Sequence, residues 1–343
     1  MKKITLLLLT VILLLLLAAC GPAGETTPTP AVSNPSAPSD VTAPGGGAYP
    51  APEGAYPAPG GAAQLPDGEV PQFEGQIAFH SERDGILQVF LLDGASGELT
   101  QLTDDPQKAY EPQWSPDCQQ IVYTYEVGGP TDSEIYIMNR DGSGKSPLLN
   151  TPAPTTLEWS PAWSPNGQIV AYQTNPGAQF NICFADVNGS SLGCMDPAGV
   201  SNAHPFWSPD GSKLYFVSNR DGNWDVYVME YGSSAPPTQL TNNDAINFHP
   251  RVSPDGQSVV FESKGVGFFN LWIMNADGSN PTILTSDMDQ NSADPFWMGN
   301  DKIVFASDRT VNWELFMINR DGSGTARLTY DMGTDKGPAW CGQ

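Results

Sequence analysis

Two histidines stand at matching places in this chain. His204 precedes Pro205 and His249 precedes Pro250. The same place before a proline holds Glu111, Ser160, Asp294 and Gly337 elsewhere. If the position points towards a common axis, Glu111, His204, His249 and Asp294 converge there with Ser160. Imidazole and carboxylate together suit zinc, manganese or iron, so His204 and His249 are candidate metal ligands. The plainer alternative is a set of polar residues lining a wet channel mouth. Two histidines without a tight spacing favour it. His80 lies apart, on a predicted strand, as a packed or edge residue.

Gly189-Ser190-Ser191-Leu192-Gly193 matches the G-x-S-x-G pattern of serine hydrolases. That pattern needs a strand-to-helix elbow above a parallel sheet. Here it follows Asn188-Gly189, a hairpin turn signal, and no α/β segment of hydrolase size accompanies it. The Asp-Gly turns at Asp141-Gly142 and Asp321-Gly322 each offer one carboxylate beside an arginine, too few for a calcium loop. No catalytic residue is assigned and no cofactor is expected beyond a possible divalent metal.

Of five cysteines, Cys20 ends Leu17-Ala18-Ala19-Cys20. Lys2 and Lys3 precede an uncharged apolar run over 4–17, too short to span a bilayer comfortably. Together these resemble a bacterial lipoprotein signal, with residues 1–19 removed and Cys20 lipidated. Residues 20–72 form a tether rich in Pro, Gly, Ala, Ser and Thr, with a near-duplicate of seven residues from Gly47 and Gly54. Such a segment buries no core. The other four cysteines allow three pairings. Cys183 and Cys194 flank Asn188-Gly189 symmetrically, so a two-residue hairpin sets them opposite each other. That leaves Cys118 and Cys341 as a second pair, joining the first repeat to the last.

The elements that must position these residues come from a repeat. Pro205-Phe206-Trp207-Ser208-Pro209-Asp210-Gly211 returns in whole or part at Pro112, Pro161, Pro250, Pro295 and Pro338. Its third residue is Trp114, Trp163, Trp207, Val252, Trp297 and Trp340, at intervals of 49, 44, 45, 45 and 43 residues. Each interval holds four short strand patterns separated by turn residues, the composition of a propeller blade. The first strand type occurs at Ile77, Ile121, Ile169, Leu214, Val259 and Ile303. The chain enters on that strand and stops after Trp340, just before it would recur. The strand at Ile77 therefore completes the last blade and closes the ring. A column of aromatics, Phe180, Trp224, Phe269 and Trp313, precedes the second strand type in four repeats. Packing between blades is its expected use; exposed, it would hold sugars or a partner's apolar segment.

With 38 acidic and 15 basic residues, the chain carries a formal charge of −23. Nucleic acid and anionic membrane surfaces repel such a chain. The lipid on Cys20 is the only expected membrane contact.

The run from Asn219-Arg220-Asp221-Gly222 through Leu240-Thr241 to Ser253-Pro254-Asp255-Gly256 resembles the TolB-like propeller repeat, as does Asp308-Arg309 through Leu328-Thr329. The resemblance covers nearly all of 73–341. It implies an all-β, six-bladed propeller of four-stranded blades over 73–343. It also implies a role in binding other envelope proteins. That family carries an N-terminal α/β domain, where this chain has the Pro-rich tether. Related propellers accompany prolyl-oligopeptidase-type hydrolases and some carbohydrate-active enzymes. The resulting expectation is a monomeric, lipid-anchored, extracytoplasmic propeller that binds an envelope or extracellular protein without catalysis. The alternative is a carbohydrate-binding or metal-assisted carbohydrate-active propeller using its central channel.

Overall fold

The computed structural model describes residues 70–342, apart from 130–131, 150–156, 176, 178, 196–198 and 287–288. The expected signal peptide, Cys20 and nearly all of the tether lie outside the described residues.

The described chain is all β. The strands are β1 (Gln76–Ser81), β2 (Gln88–Asp93) and β3 (Leu99–Gln101); then β4 (Ala109–Trp114), β5 (Gln120–Gly129), β6 (Asp132–Asn139) and β7 (Ser146–Pro147). Next come β8 (Leu157–Trp163), β9 (Ile169–Asn175), β10 (Asn181–Asp186) and β11 (Ser191–Cys194). They are followed by β12 (Asn202–Trp207), β13 (Lys213–Ser218), β14 (Asp225–Glu230) and β15 (Thr238–Gln239). The last are β16 (Ile246–Val252), β17 (Ser258–Lys264), β18 (Asn270–Asn275) and β19 (Thr282–Ile283), then β20 (Ser292–Met298), β21 (Lys302–Ser307), β22 (Glu314–Asn319), β23 (Ala326–Arg327) and β24 (Asp335–Cys341).

These make a propeller of antiparallel sheets. Four sheets are four-stranded: β24-β1-β2-β3, β12 to β15, β16 to β19 and β20 to β23. One sheet is eight-stranded, running β11-β10-β9-β8-β6-β5-β4 with β7 on β6. Among the described residues its halves share a single ladder pair, the parallel contact of Ser133 with Leu157. The ring closes where β1 lies between β24 and β2, with Ile77 opposite Trp340 and Leu92.

Each sheet's second strand is its buried spine. Ile77, Phe79, Ile121, Val170, Phe216, Phe261 and Phe305 are all sealed from solvent. Successive side chains of these strands pack on opposite neighbours, so the strands are apolar on both faces. Four of the innermost strands, β4, β8, β12 and β16, are followed by a turn that repeats one device. Ser115, Ser208 and Ser253 donate to Asp117, Asp210 and Asp255 at 2.5–2.6 Å, and Ser164 donates to Asn166 at 2.8 Å. The same hydroxyls accept the amides of Gln120, Lys213, Ser258 and Ile169. Each turn is thereby locked before the second strand begins.

Both disulfides have the expected partners. Cys183 faces Cys194 across the β10–β11 hairpin, with Cα atoms 3.9 Å apart. Cys118 joins Cys341 over 223 residues of chain. Cys118 occupies the left-handed turn position (φ 57°) that Gly167, Gly211 and Gly256 hold in other repeats.

Candidate functional site

At the opposite end of each inner strand the backbone breaks its ladder in the same way. In β4, Tyr110 pairs with Thr124 and Gln113 with Val122, so Glu111 and Pro112 together oppose one residue. Equivalent bulges occur at Ser160, His204, His249, Asp294 and Gly337. The proline that follows has no N–H to give, which suits a place where pairing lapses. All six bulge residues have φ between 46° and 58°. Five are not glycine, and each such residue costs about 1–3 kcal/mol in this region.

Side chains of neighbouring repeats support the strained backbone. The amide of Glu111 donates to His80 Nδ1 (3.2 Å). Ser160 donates its amide (2.8 Å) and hydroxyl (3.1 Å) to Glu111 Oε2. The amides of His204, Asp294 and Gly337 donate to Gln173 Oε1 (3.2 Å), Glu262 Oε2 (3.0 Å) and Asp294 Oδ2 (3.4 Å). Five of the six bulges are thus capped by the preceding repeat.

The arrangement brings all the candidates together. Glu111, Ser160, His204, His249 and Asp294 line one small cavity of about 50 Å³, with His80 and Arg251. That space admits a few waters or an ion, not a sugar ring. His204 and His249 lie ring to ring, 3.9 Å between centroids. His249 Nδ1 is 2.9 Å from Glu262 Oε1 and 3.4 Å from Asp294 Oδ1. Those three residues could jointly ligate a cation, since their donor atoms all lie within 4.8 Å of one another.

Burial dominates the electrostatics of the cavity. It pushes Glu111 up, against the pull of His249 and the Ser160 hydrogen bonds. It pushes His204 well below the usual histidine value, helped by the charges of His249 and Arg251. Burial would lower His249 too, but Glu262 and Asp294 outweigh it and hold that ring above the ordinary range. Asp294 moves the other way. Burial alone would raise it, but His249, Lys336 and His80 hold it low. Arg251 is lowered by burial to about 10, against the pull of Asp294, Glu111 and Glu262. The surroundings thus favour the charged forms of His249 and Asp294 and the neutral form of His204.

His80, Glu262, Gln173 and Arg251 were not singled out as site residues from sequence. The first three follow the aromatic of the second strand (Phe79, Phe261, Tyr172), and Thr124 does the same after Tyr123. Aligning that position across repeats is the signal that finds them. His80 also explains Gly337. A Cβ there would lie 2.7 Å from His80 Cε1, so His80 takes the room that an axial side chain has elsewhere.

Around this mouth lies an aromatic arc. Trp159 meets Phe180 (5.6 Å), Phe180 meets Trp224 (6.3 Å), Trp224 meets Phe248 (5.7 Å) and Phe248 meets Phe269 (6.3 Å). The Lys336 ammonium sits 3.6 Å over Trp313. The arc residues are half-buried, packed on one another yet open on one side. Val266, Val311 and Met332, in loops at the same end of the strands, are about nine-tenths or more exposed. The G-x-S-x-G serine, Ser191, lies on the exposed edge strand β11, away from any helix.

Comparison with known proteins gives a consistent picture. Residues 131–300 match the PD40 family, the TolB beta propeller domain. The protein TolB homolog of Chlorobium luteolum is 28% identical over 162 residues, 47% of this chain and 35% of that one. The Tol-Pal system protein TolB of Ruthia magnifica is 27% identical over 127 residues, 36% of this chain and 28% of that one. The chain thus matches about a third of the length of these relatives. The fold of TolB from Acinetobacter baumannii superposes with a TM-score of 0.65 at 19% identity, over 78% of this chain and 66% of that one.

Proposed function

The chain is a TolB-like propeller protein, and on that premise we propose that it is a non-catalytic scaffold that binds an envelope protein. In this proposal the eight-stranded sheet counts as two blades, so the ring has six. Cys20 carries a lipid, and the tether over 20–72 holds the propeller outside the cytoplasm, near a membrane. The partner docks on the mouth that carries the aromatic arc. The observation behind this is the surface at that mouth: a continuous run of half-open rings beside exposed Val266, Val311 and Met332, around a polar centre. Exposed apolar patches of this kind mark protein interaction surfaces. The Tol-Pal assignment of the Ruthia relative makes an envelope partner the natural class.

The test is capture from crosslinked native envelopes. One bait is the full chain. A second carries Val266→Asp, Val311→Asp and Met332→Asp, which lie on the surface and leave the core intact. A third carries Glu111→Ala, His204→Ala, His249→Ala and Asp294→Ala. A protein captured by the first bait and lost with the second supports the docking face. Equal capture by the first two overturns it.

A second reading rests on His249, Glu262 and Asp294 as a cation site, with His204 beside it. Metal binding there must displace the proton that His249 holds, so it would strengthen as pH rises. Equilibrium dialysis with Zn²⁺ or Mn²⁺ tests it. Stoichiometric metal lost in His249→Ala supports a metal-assisted role, and none in the native chain removes it.

A further inference from the structure

One repeat lacks the residue that fills the gap between neighbouring repeats. Trp207 shows the slot at its fullest. Its ring packs on Phe184 (6.0 Å) and Tyr231 (4.6 Å), and its indole N–H donates to the Ala162 carbonyl of the preceding repeat (3.1 Å). Trp114 and Trp297 donate likewise to the carbonyls of Ala339 and Arg251. In the fourth repeat three large residues are replaced together. Val252 stands for the Trp, Ala276 for Tyr231, and Val228, across the gap, for Phe184.

A cavity of about 680 Å³ opens at that place, and Val252, Ala276 and Val228 all line it with Leu240 and Tyr215. The flanking turns confirm that the repeats part here. A Cβ placed on Gly211 would meet Pro165 of the preceding turn at 3.2 Å, whereas one on Gly256 meets nothing within 4 Å. The carbonyl of Phe206 holds the place in this repeat that Ala162 holds beneath Trp207.

We propose that this cavity is a binding site for a small indole-bearing amine, whose ring takes the slot that the protein's own tryptophan fills elsewhere. The inner wall, formed by Val252, Val228, Leu240 and Tyr215, is apolar, and the cavity has room for a planar ring. The rim sets the charge. Asp210, Glu230, Asp255 and Asp277 surround a single lysine, Lys213. Hydrogen bonds from Ser208 and Ser212 hold Asp210 down to about 2, and those from Ser253 and Ser279 keep Asp255 and Asp277 low. The rim is therefore anionic at neutral pH and favours a cation over an anion. The site lies at the turn end of the strands, opposite the proposed docking mouth, and does not depend on it.

Calorimetric titration of the full chain with tryptamine tests the proposal. Indole-3-acetate keeps the ring and reverses the charge; 2-cyclohexylethylamine keeps the charge and removes the ring. Saturable binding of one tryptamine, at least tenfold tighter than either control, is expected. Val252→Trp restores the native filling and should weaken tryptamine at least tenfold while raising the melting temperature. Ala276→Tyr narrows the same slot from its half-exposed side and should weaken tryptamine similarly, deciding the matter if Val252→Trp does not fold. No saturable binding, equal affinity for the cyclohexyl amine, or unchanged affinity in Ala276→Tyr overturns it.

Discussion

The two ends of the inner strands are made by one repeat and treat their side chains differently. At the turn end a Ser donating to Asp or Asn recurs, and the residue at or next to the end of the inner strand makes one contact wherever it is Trp114, Trp207 or Trp297. At the bulge end only the backbone recurs. Six residues share one conformation while their side chains are Glu, Ser, His, His, Asp and Gly. The difference shows where the fold is specified. Turn side chains hold the blades together, whereas the bulge is fixed by its proline and by caps from the preceding repeat. Bulge side chains are thereby free to be chosen for what meets them at the mouth.

Breaking the ring should have the largest effect. Replacing Cys118 and Cys341 by Ser opens a loop of 223 residues, and chain entropy puts the loss at about 5 kcal/mol. The same change at Cys183 and Cys194, 11 residues apart, should cost about 3 kcal/mol. Urea unfolding of the two double variants measures the contrast, and equal losses would break it. Trp207→Val copies the fourth repeat into the third. It leaves a cavity and the Ala162 carbonyl without its donor, at about 3 kcal/mol. A loss as small as that of an exposed substitution would mean the slots do not carry the fold.

The bulge end should respond to pH. Burial lowers His80 from 6.5 to about 4. The unfolded chain takes up that proton first, so stability is complete above pH 6.5 and falls as pH drops towards 4. The contribution is at most about 3 kcal/mol. In His80→Gln the acid limb of the stability profile should flatten over that window; an unchanged limb would place the sensitivity elsewhere. The smallest effect is a clash, in Gly337→Ala. Ala there takes on the left-handed strain that the other five bulges bear, and the clash with His80 adds about 1–2 kcal/mol. A double-mutant cycle with His80→Ala should recover most of that addition.

Much of this was legible in the sequence, and the reason is periodicity. Strand order, the turns, the strand exchange at Ile77 and both disulfides follow from counting residues between repeats of one phrase. The convergence of Glu111, Ser160, His204, His249 and Asp294 followed from the same count. His80 and Glu262 were not legible as site residues. Each repeat carries a different residue at their position (His80, Thr124, Gln173, Val217, Glu262, Ala306), so aligning the repeats locates the position without marking it as part of a site. Their role appears only when the antiparallel register sets that position beside the next repeat's bulge. The gap at Val252 was visible as a missing tryptophan. Its size depended also on Ala276 and Val228, which no motif joins to it.

The closing strand has a mechanical consequence. Any pull on the chain upstream of residue 70 enters the propeller through β1. That strand is flanked by antiparallel neighbours on both sides, β24 and β2. A tug along its axis loads both ladders in shear, so the hydrogen bonds share the force instead of opening one after another. Should β1 slip, β24 stays fastened to the first repeat through Cys341 and Cys118. The first strand can thus be strained without unravelling the far end, as a belt holds when its tongue is pulled and its buckle is riveted.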